Sequence, residues 1–271
     1  MIIVKKMFAE KILRYMEMMN RFLLVLYRIP NLGDKLHEQI VDNNNRKLKT
    51  TFGVMAQIGI VLLEFLRKYI YVLIFMYVPY RLIARMCPLI ASHQQTTMIY
   101  MFFMLSTICG SIANTTLMAM GDRDYLMMRV MLISPYMNFL GKLAYKIAAD
   151  FVYFTIILTM FGVTFWRALC LSLFTAACRP VGEMFAILIY EKFTVIYENR
   201  GTFNGFVMAM CVLVAYGVPV LSRKVSSVWL AFAHPVSAII MLVVGAAATA
   251  YLWWYKHYRK IVREAMHMKR E

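Results

Sequence analysis

Long apolar blocks alternate with short charged segments along most of this chain of 271 residues. A block of about 20 apolar residues is the length that a helix needs to cross a bilayer. We place six such crossings at 68–88, 97–119, 147–166, 168–190, 203–221 and 228–252. The pattern therefore predicts an all-α polytopic membrane protein with about six transmembrane helices.

The first apolar stretch, 51–83, is too long for one simple span and contains Glu64, Arg67 and Lys68. Charges at mid-bilayer are unfavourable, so we place the crossing mainly at 68–88, with Lys68 at its edge, and interpret 51–66 as an interfacial approach helix. Glu64 and Lys68 stand four residues apart and could pair on one helix face. Such a pair is either solvated at the headgroup level or part of a transport site.

The region before that stretch predicts a different element. Residues 1–30 carry apolar side chains every three or four positions, with basic residues beside them. This is typical of an amphipathic helix lying in the membrane interface, or of one packed on a partner protein. A polar loop follows at 31–50, so we divide the chain into 1–50, a transmembrane domain at 51–255 and a basic tail at 256–271.

The distribution of charged residues predicts how these spans are oriented across the membrane. The net charge of +16 would suggest nucleic acid in a soluble protein, but 62% of this chain is hydrophobic and its basic residues border the apolar blocks. With an even number of spans, 22 Lys and Arg residues fall on the side of the termini and five on the other side. The positive-inside bias then predicts that both termini lie in the cytoplasm. We expect a protein of the plasma membrane that has no nucleic-acid partner. The aromatic and basic run at 253–260 is typical of a span leaving the bilayer on that side.

Motifs for catalysis and metal binding are missing from the sequence. It contains no GxxxxGK[ST] loop for nucleotide phosphates, no HExxH helix and no GxSxG elbow. The five cysteines lack the spacing of a zinc site or a disulfide framework, so we interpret them as packing residues. We expect no enzymatic activity and no cofactor in this chain.

A few ionisable residues lie inside apolar sequence. Arg179 and Glu183 are four apart, so we expect them to neutralise each other on one helix as a structural pair, or else to line a polar path. Pro180 between them is expected to kink that helix. We place Asp150 near the cytoplasmic end of its span, in reach of water, and His234 six residues into the last span.

The most distinctive segment lies between the second and third crossings. It begins with Asp122 and Asp124, continues to Ser134-Pro135 and reaches Gly141-Lys142 before the next span. This order resembles the membrane subunits of type-2 ABC exporters, in which a cytoplasmic coupling helix joins these two spans. The segment 179–183 and the basic aromatic tail look similar to parts of larger bacterial exporter permeases built from two such halves.

The resemblance implies a prokaryotic exporter permease for a peptide, lipid-like or drug-like compound. It implies a separate cytoplasmic ABC ATPase that binds ATP and Mg²⁺. It also implies a second six-span half, which is either a second copy of this chain or the rest of a longer chain. The residues expected to contact the ATPase are Asp122, Asp124, Leu126, Arg129, Val130, Ser134, Pro135, Gly141 and Lys142. Acidic residues suit the start of a helix, and Pro135 is expected to end it and turn the chain back to the membrane.

Two other interpretations remain open at the level of sequence. The coupling segment could be a plain amphipathic loop lying on lipid. The whole chain could be a non-enzymatic membrane scaffold or assembly protein that recruits partners through its basic ends.

Overall fold

A computed structural model describes residues 46–116, 134–192, 200–222 and 228–255, and every regular element in these ranges is helical. We number the α-helices and the two π-helical segments separately, in chain order. The elements are α1 (Arg46–Val72), π1 (Leu73–Tyr77), α2 (Val78–Met86), α3 (Pro88–Ala91), α4 (Gln94–Phe102), π2 (Phe103–Cys109), α5 (Gly110–Ala113), α6 (Pro135–Met160), α7 (Phe165–Lys192), α8 (Arg200–Ser222), α9 (Val228–Ala231) and α10 (Pro235–Trp254).

Among the described residues, five helical runs are long and apolar enough to cross a membrane, as the sequence predicted for an all-α multi-pass protein. They are Gln94–Ala113, Tyr136–Met160, Phe165–Ile189, Gly201–Ser222 and Pro235–Trp254. The predicted crossing at 68–88 is not among these five, although it lies in the continuous helical run from α1 to α2. The predicted amphipathic helix at 1–30 and the basic tail lie outside the described residues.

The chain divides into two units, Met1–Arg67 and Lys68–Glu271. The first is described only from Arg46, as the N-terminal part of α1. The second contains the five candidate membrane helices and the site described below.

Helix α7 is central to the second unit, since it packs against α6, α10, π2 and α5. Two glycines allow backbones to approach each other at these contacts. A β-carbon at Gly182 would overlap the carbonyl of Ser111, and one at Gly245 would lie 2.7 Å from the carbonyl oxygen of Ala177. Small residues at such crossings are a usual means of bringing membrane helices close together.

Polar contacts show which helix ends lie together. At one end, the Gln94 side chain donates to the Phe161 carbonyl at 3.2 Å, and Gln95 donates to the Thr164 hydroxyl at 2.7 Å. At the other end, the Tyr136 hydroxyl donates to the Trp253 carbonyl at 3.2 Å, and their rings meet edge to face. The start of α6 and the end of α10 therefore share one end of the bundle, as the predicted alternation of spans requires.

The connection between α6 and α7 is a tight turn. Gly162 has a φ of +89°, a left-handed conformation that glycine adopts without strain from a β-carbon. The turn lets α7 run back antiparallel along α6, which brings the middle of each helix beside the other.

Two predicted boundaries were wrong. Helix α6 begins at Pro135, twelve residues before the predicted crossing at 147, because proline is well suited to the first turn of a helix. His234 does not lie inside the last span but precedes it, where its Nδ1 accepts from the Val236 amide at 3.3 Å and caps α10.

Candidate functional site: a buried charge network

The residues predicted to contact an ATPase fall into two groups. Five of them, Asp122, Asp124, Leu126, Arg129 and Val130, lie outside the described residues. The other four lie at or after the start of α6, at Ser134, Pro135, Gly141 and Lys142.

Ser134 and Pro135 begin a helix. The Ser134 hydroxyl accepts from the Met137 amide at 3.3 Å, which satisfies one of the free donors of the first turn. Pro135 occupies the first helical turn, where its missing N–H leaves no intrahelical bond unmade. Gly141 and Lys142 lie inside α6, so they do not mark the entry to this span as expected. The prediction that Pro135 ends a preceding helix falls on residues outside the described ranges.

A buried ion-pair network joins three helices deep in the second unit. The Asp150 carboxylate of α6 accepts from the Lys68 ammonium at 2.7 Å through Oδ1. Its Oδ2 accepts from Arg179 of α7, at 2.8 Å from Nε and 2.7 Å from Nη2. Asp150 is 3% exposed and Arg179 is 7% exposed. One carboxylate is therefore the shared counter-charge of two cations that would each be unfavourable in a bilayer.

This geometry corrects the expectation for Asp150. We placed that carboxylate in reach of water, whereas the structure buries it between two cationic side chains. The pairing of Arg179 with Glu183 along α7 does not depend on Asp150, and it stays a prediction. Sequence reasoning missed Lys68 as the second cation of the network, although its position beside an apolar span was a usable signal.

The same network caps the end of the 94–113 helical run. The last carbonyls of a helix have no partner within it and attract cations. Arg179 Nη1 donates to the Gly110 carbonyl, and Lys146 Nζ donates to the Asn114 carbonyl at 2.5 Å and to its Oδ1 at 3.1 Å. Glu183 accepts from the Thr116 amide. We call this set of contacts at Gly110, Asn114 and Thr116 the clamp.

The clamp lies where one helix ends short of its neighbours. The run Gln94–Ala113 has 20 residues, and α7, which starts at the same end, has 28. At 1.5 Å per residue their lengths are about 30 Å and about 42 Å, so the chain leaves the first run roughly 12 Å before α7 ends. Non-helical backbone at such a depth is tolerated only where protein or water satisfies it. The three charged side chains of the clamp supply those hydrogen bonds.

Other polar contacts surround the network. Thr107 and Thr175 share a hydrogen bond of 2.7 Å between π2 and α7, and Thr155 and Ser172 share one of 2.5 Å between α6 and α7. Two buried hydroxyls near the clamp, on Ser111 and Thr116, have no hydrogen-bond partner among the described residues. Polar contacts thus occur at several levels of the otherwise apolar interface between these helices.

The network is not built as a metal centre. Within 46–116, 134–192, 200–222 and 228–255, no group of three or more His, Cys, Asp or Glu side chains is placed to hold an ion. The five cysteines are free thiols, and Cys109 and Cys170 are buried. The charged contacts can hold the helix ends together, and loss of one partner would release them.

Comparison with known proteins finds no matching protein family, no similar curated protein and no similar solved structure.

Proposed function

We propose that this chain is the membrane-spanning permease subunit of an ABC exporter, in which the segment 117–133 docks on a separate cytoplasmic ATPase. The observation that carries the proposal is how that segment joins the bundle. The chain leaves α5 through the clamp and returns at the capped start of α6, beside the end of α10. A docking segment needs firm attachments of this kind at both ends if a partner is to push on it.

The proposal includes a sixth crossing within α1, π1 and α2. Exposed apolar side chains recur every four residues at Ile70, Ile74, Val78, Leu82 and Met86, which gives this run a surface that suits lipid. Lys68 argued against a crossing at this point, and its pairing with Asp150 removes much of that penalty.

Orientation follows from charge. The start of α6 and the end of α10 share one end of the bundle, and the basic tail follows α10. The positive-inside bias favours this end as the cytoplasmic one, with both termini there, in the plasma membrane of a prokaryote. The segment 117–133 then faces the compartment that supplies ATP and Mg²⁺ to the partner. Six spans form half of a transport path, so a second six-span half completes it.

The test is co-expression of the tagged chain with an ABC ATPase encoded beside it, followed by purification in detergent and measurement of ATP hydrolysis. We expect a stable complex, and we expect Asp124→Lys to weaken it at least tenfold by reversing a charge on the docking segment. Arg167→Glu is the matched control, because this exposed residue at the start of α7 reverses charge at the opposite end of the bundle. Complex formation that is insensitive to Asp124→Lys, or absent from the wild type, would favour the membrane scaffold instead.

A further inference from the structure

We propose that one exposed side of α2 binds an anionic phospholipid. Arg81 and Arg85 hold the phosphate of its headgroup, and the exposed side chains of Leu82, Met86 and Leu89 contact its acyl chains. The site lies at the end of the bundle away from the clamp. It does not rest on the proposed function, because no ATPase takes part in it.

This end of the bundle has basic residues and no acidic ones. The ends of α2, α3 and α9 meet here with the start of α4 and with the connection between α6 and α7. The segments 81–93, 161–167 and 228–234, all within the described residues, contain three arginines and no Asp or Glu. A surface with charge of one sign attracts partners of the opposite sign. The partner expected at this end is therefore anionic.

Arg81 and Arg85 are neighbours on α2. Residues four apart lie on the same side of a helix, separated by about 6 Å along its axis. Both side chains are exposed, and neither pairs with a carboxylate among the described residues. Another side of α2 is fixed in the bundle, since Tyr80 is 3% exposed and Ile83 is 7% exposed. Two guanidinium groups are thus close enough to contact the same phosphate.

Exposed apolar side chains lie beside the two arginines. Leu82 is 55% exposed and Met86 is 75% exposed, and Leu89 of α3 is 65% exposed. Leu82 and Met86 are also four apart, so their side of α2 is about 100° around the helix from the arginines. A water-soluble anion would leave these side chains uncovered, whereas the acyl chains of a lipid would cover them.

The site lies at the depth of lipid headgroups. Helices α2 and α3 pack against α4, whose first residue, Gln94, begins a candidate membrane span. The Tyr80 hydroxyl donates to the Ala91 carbonyl at 3.4 Å, which joins α2 to the end of α3. The Arg81 guanidinium lies 5.5 Å from the centre of the Tyr77 ring, and tyrosine is enriched at this depth. The basic and apolar sides of α2 therefore match the two parts of one lipid.

Charge determines which lipid fits. A guanidinium group binds phosphate oxygens through two parallel N–H donors, which an ammonium group cannot do. The phosphate is the only charged group in the headgroup of phosphatidylglycerol. Phosphatidylcholine carries a choline cation as well, which the arginines repel. The site should therefore prefer phosphatidylglycerol to phosphatidylcholine.

The experiment uses the full chain in phosphatidylcholine vesicles that contain a photoactivatable phosphatidylglycerol or, at equal mole fraction, a photoactivatable phosphatidylcholine. The photoreactive group is in the acyl chain, close to the glycerol. After illumination and digestion, mass spectrometry gives the yield of lipid adducts on residues 82–89. We expect the yield to be at least fivefold higher with phosphatidylglycerol. Adducts of phosphatidylcholine on the exposed apolar residues at 239–243 report that each variant is folded and inserted.

Three variants identify the residues responsible. Arg81→Gln combined with Arg85→Gln should bring the two yields within twofold of each other. Arg81→Lys combined with Arg85→Lys keeps both charges without the paired donors, and it should lower the ratio of the yields at least twofold. Arg167→Gln is the matched control, because Arg167 is an exposed arginine at the same end of the bundle. It should keep the ratio of wild type.

Four results would overturn the proposal. Equal yields with both lipids in wild type would show that the site has no preference for an anionic lipid, and a ratio kept in the glutamine variant would show that the arginines are not its cause. A ratio that falls equally in Arg167→Gln, or stays unchanged in the lysine variant, would show diffuse attraction by charge. Adducts abolished by an excess of soluble glycerophosphoglycerol would show a site for the headgroup alone. None of these results bears on the proposed permease function.

Discussion

Loss of the Asp150 carboxylate should be among the most damaging single changes in this protein. Asp150→Asn keeps the size of the side chain but removes the negative charge that both Lys68 and Arg179 contact at 2.7–2.8 Å. Two cations would then face each other with their shared counter-charge gone. Removal of one partner from a buried ion pair typically costs about 3–5 kcal/mol. Because Arg179 is almost fully buried, we expect the loss in unfolding free energy to fall in that range.

Reversible unfolding in mixed micelles, with a rising mole fraction of a denaturing detergent, measures this loss. Fluorescence of the four tryptophans reports the transition. Val152→Ala is the control on the same helix, since this side chain is 49% exposed and its truncation should change the unfolding free energy by less than about 1 kcal/mol.

A second variant tests the cause. In the Asp150→Asn background, Arg179→Met removes the cation that lost its partner. The double variant should therefore be less destabilised than the sum of the two single variants, by about 1–3 kcal/mol. The reasoning is refuted if Asp150→Asn unfolds within about 0.5 kcal/mol of wild type, or if the two changes are additive.

Two further predictions concern close contacts between helices. Gly182→Ala should lower the unfolding free energy by roughly 1–3 kcal/mol or more, because the added methyl group would overlap the Ser111 carbonyl. Gly205→Ala is the matched change, since no atom lies within 4 Å of a β-carbon there, and it should be neutral or slightly stabilising in the same detergent titration. Cys109 and Cys211 interact where π2 packs against α8, so a strong oxidant that enters the apolar interior of the purified protein should join them in a disulfide. Mass spectrometry of a proteolytic digest would detect that link, and its absence under conditions that also oxidise the buried thiol of Cys170 would contradict the packing of α8 against π2.

Hydrophobic pattern alone was enough to place most of the membrane helices. The predicted crossing at 168–190 lies within α7, and the one at 203–221 lies within α8. Each of these blocks is bounded by polar or charged residues that mark its limits in the sequence. The start of α6 was missed because Lys142 and Lys146 interrupt the apolar pattern there. Long lysine side chains can extend from a helix to polar partners, so such charges do not end a span.

The charge network was harder to predict than the helices. Spacing within one sequence identifies neighbours along a helix, and it led us to pair Arg179 with Glu183. The partner that the structure adds, Asp150, is 29 residues away and becomes adjacent only because the Gly162 turn folds α7 back along α6. The clamp depends on the end of α5 at Ala113. The apolar block at 97–119 is uninterrupted, so the sequence gave no reason to expect the helix to end there.

The most direct test of the central claim is site-specific photo-crosslinking from the segment 117–133 in intact cells. A photoreactive amino acid replaces Asp124, and a second variant carries it at Trp166, a 71% exposed residue at the opposite end of the bundle. After illumination, crosslinked products are purified through a tag on the chain and identified by mass spectrometry. The account predicts an ABC ATPase crosslinked at position 124 and none at position 166. An ATPase captured equally at both positions, or lipid alone captured at position 124, would contradict it.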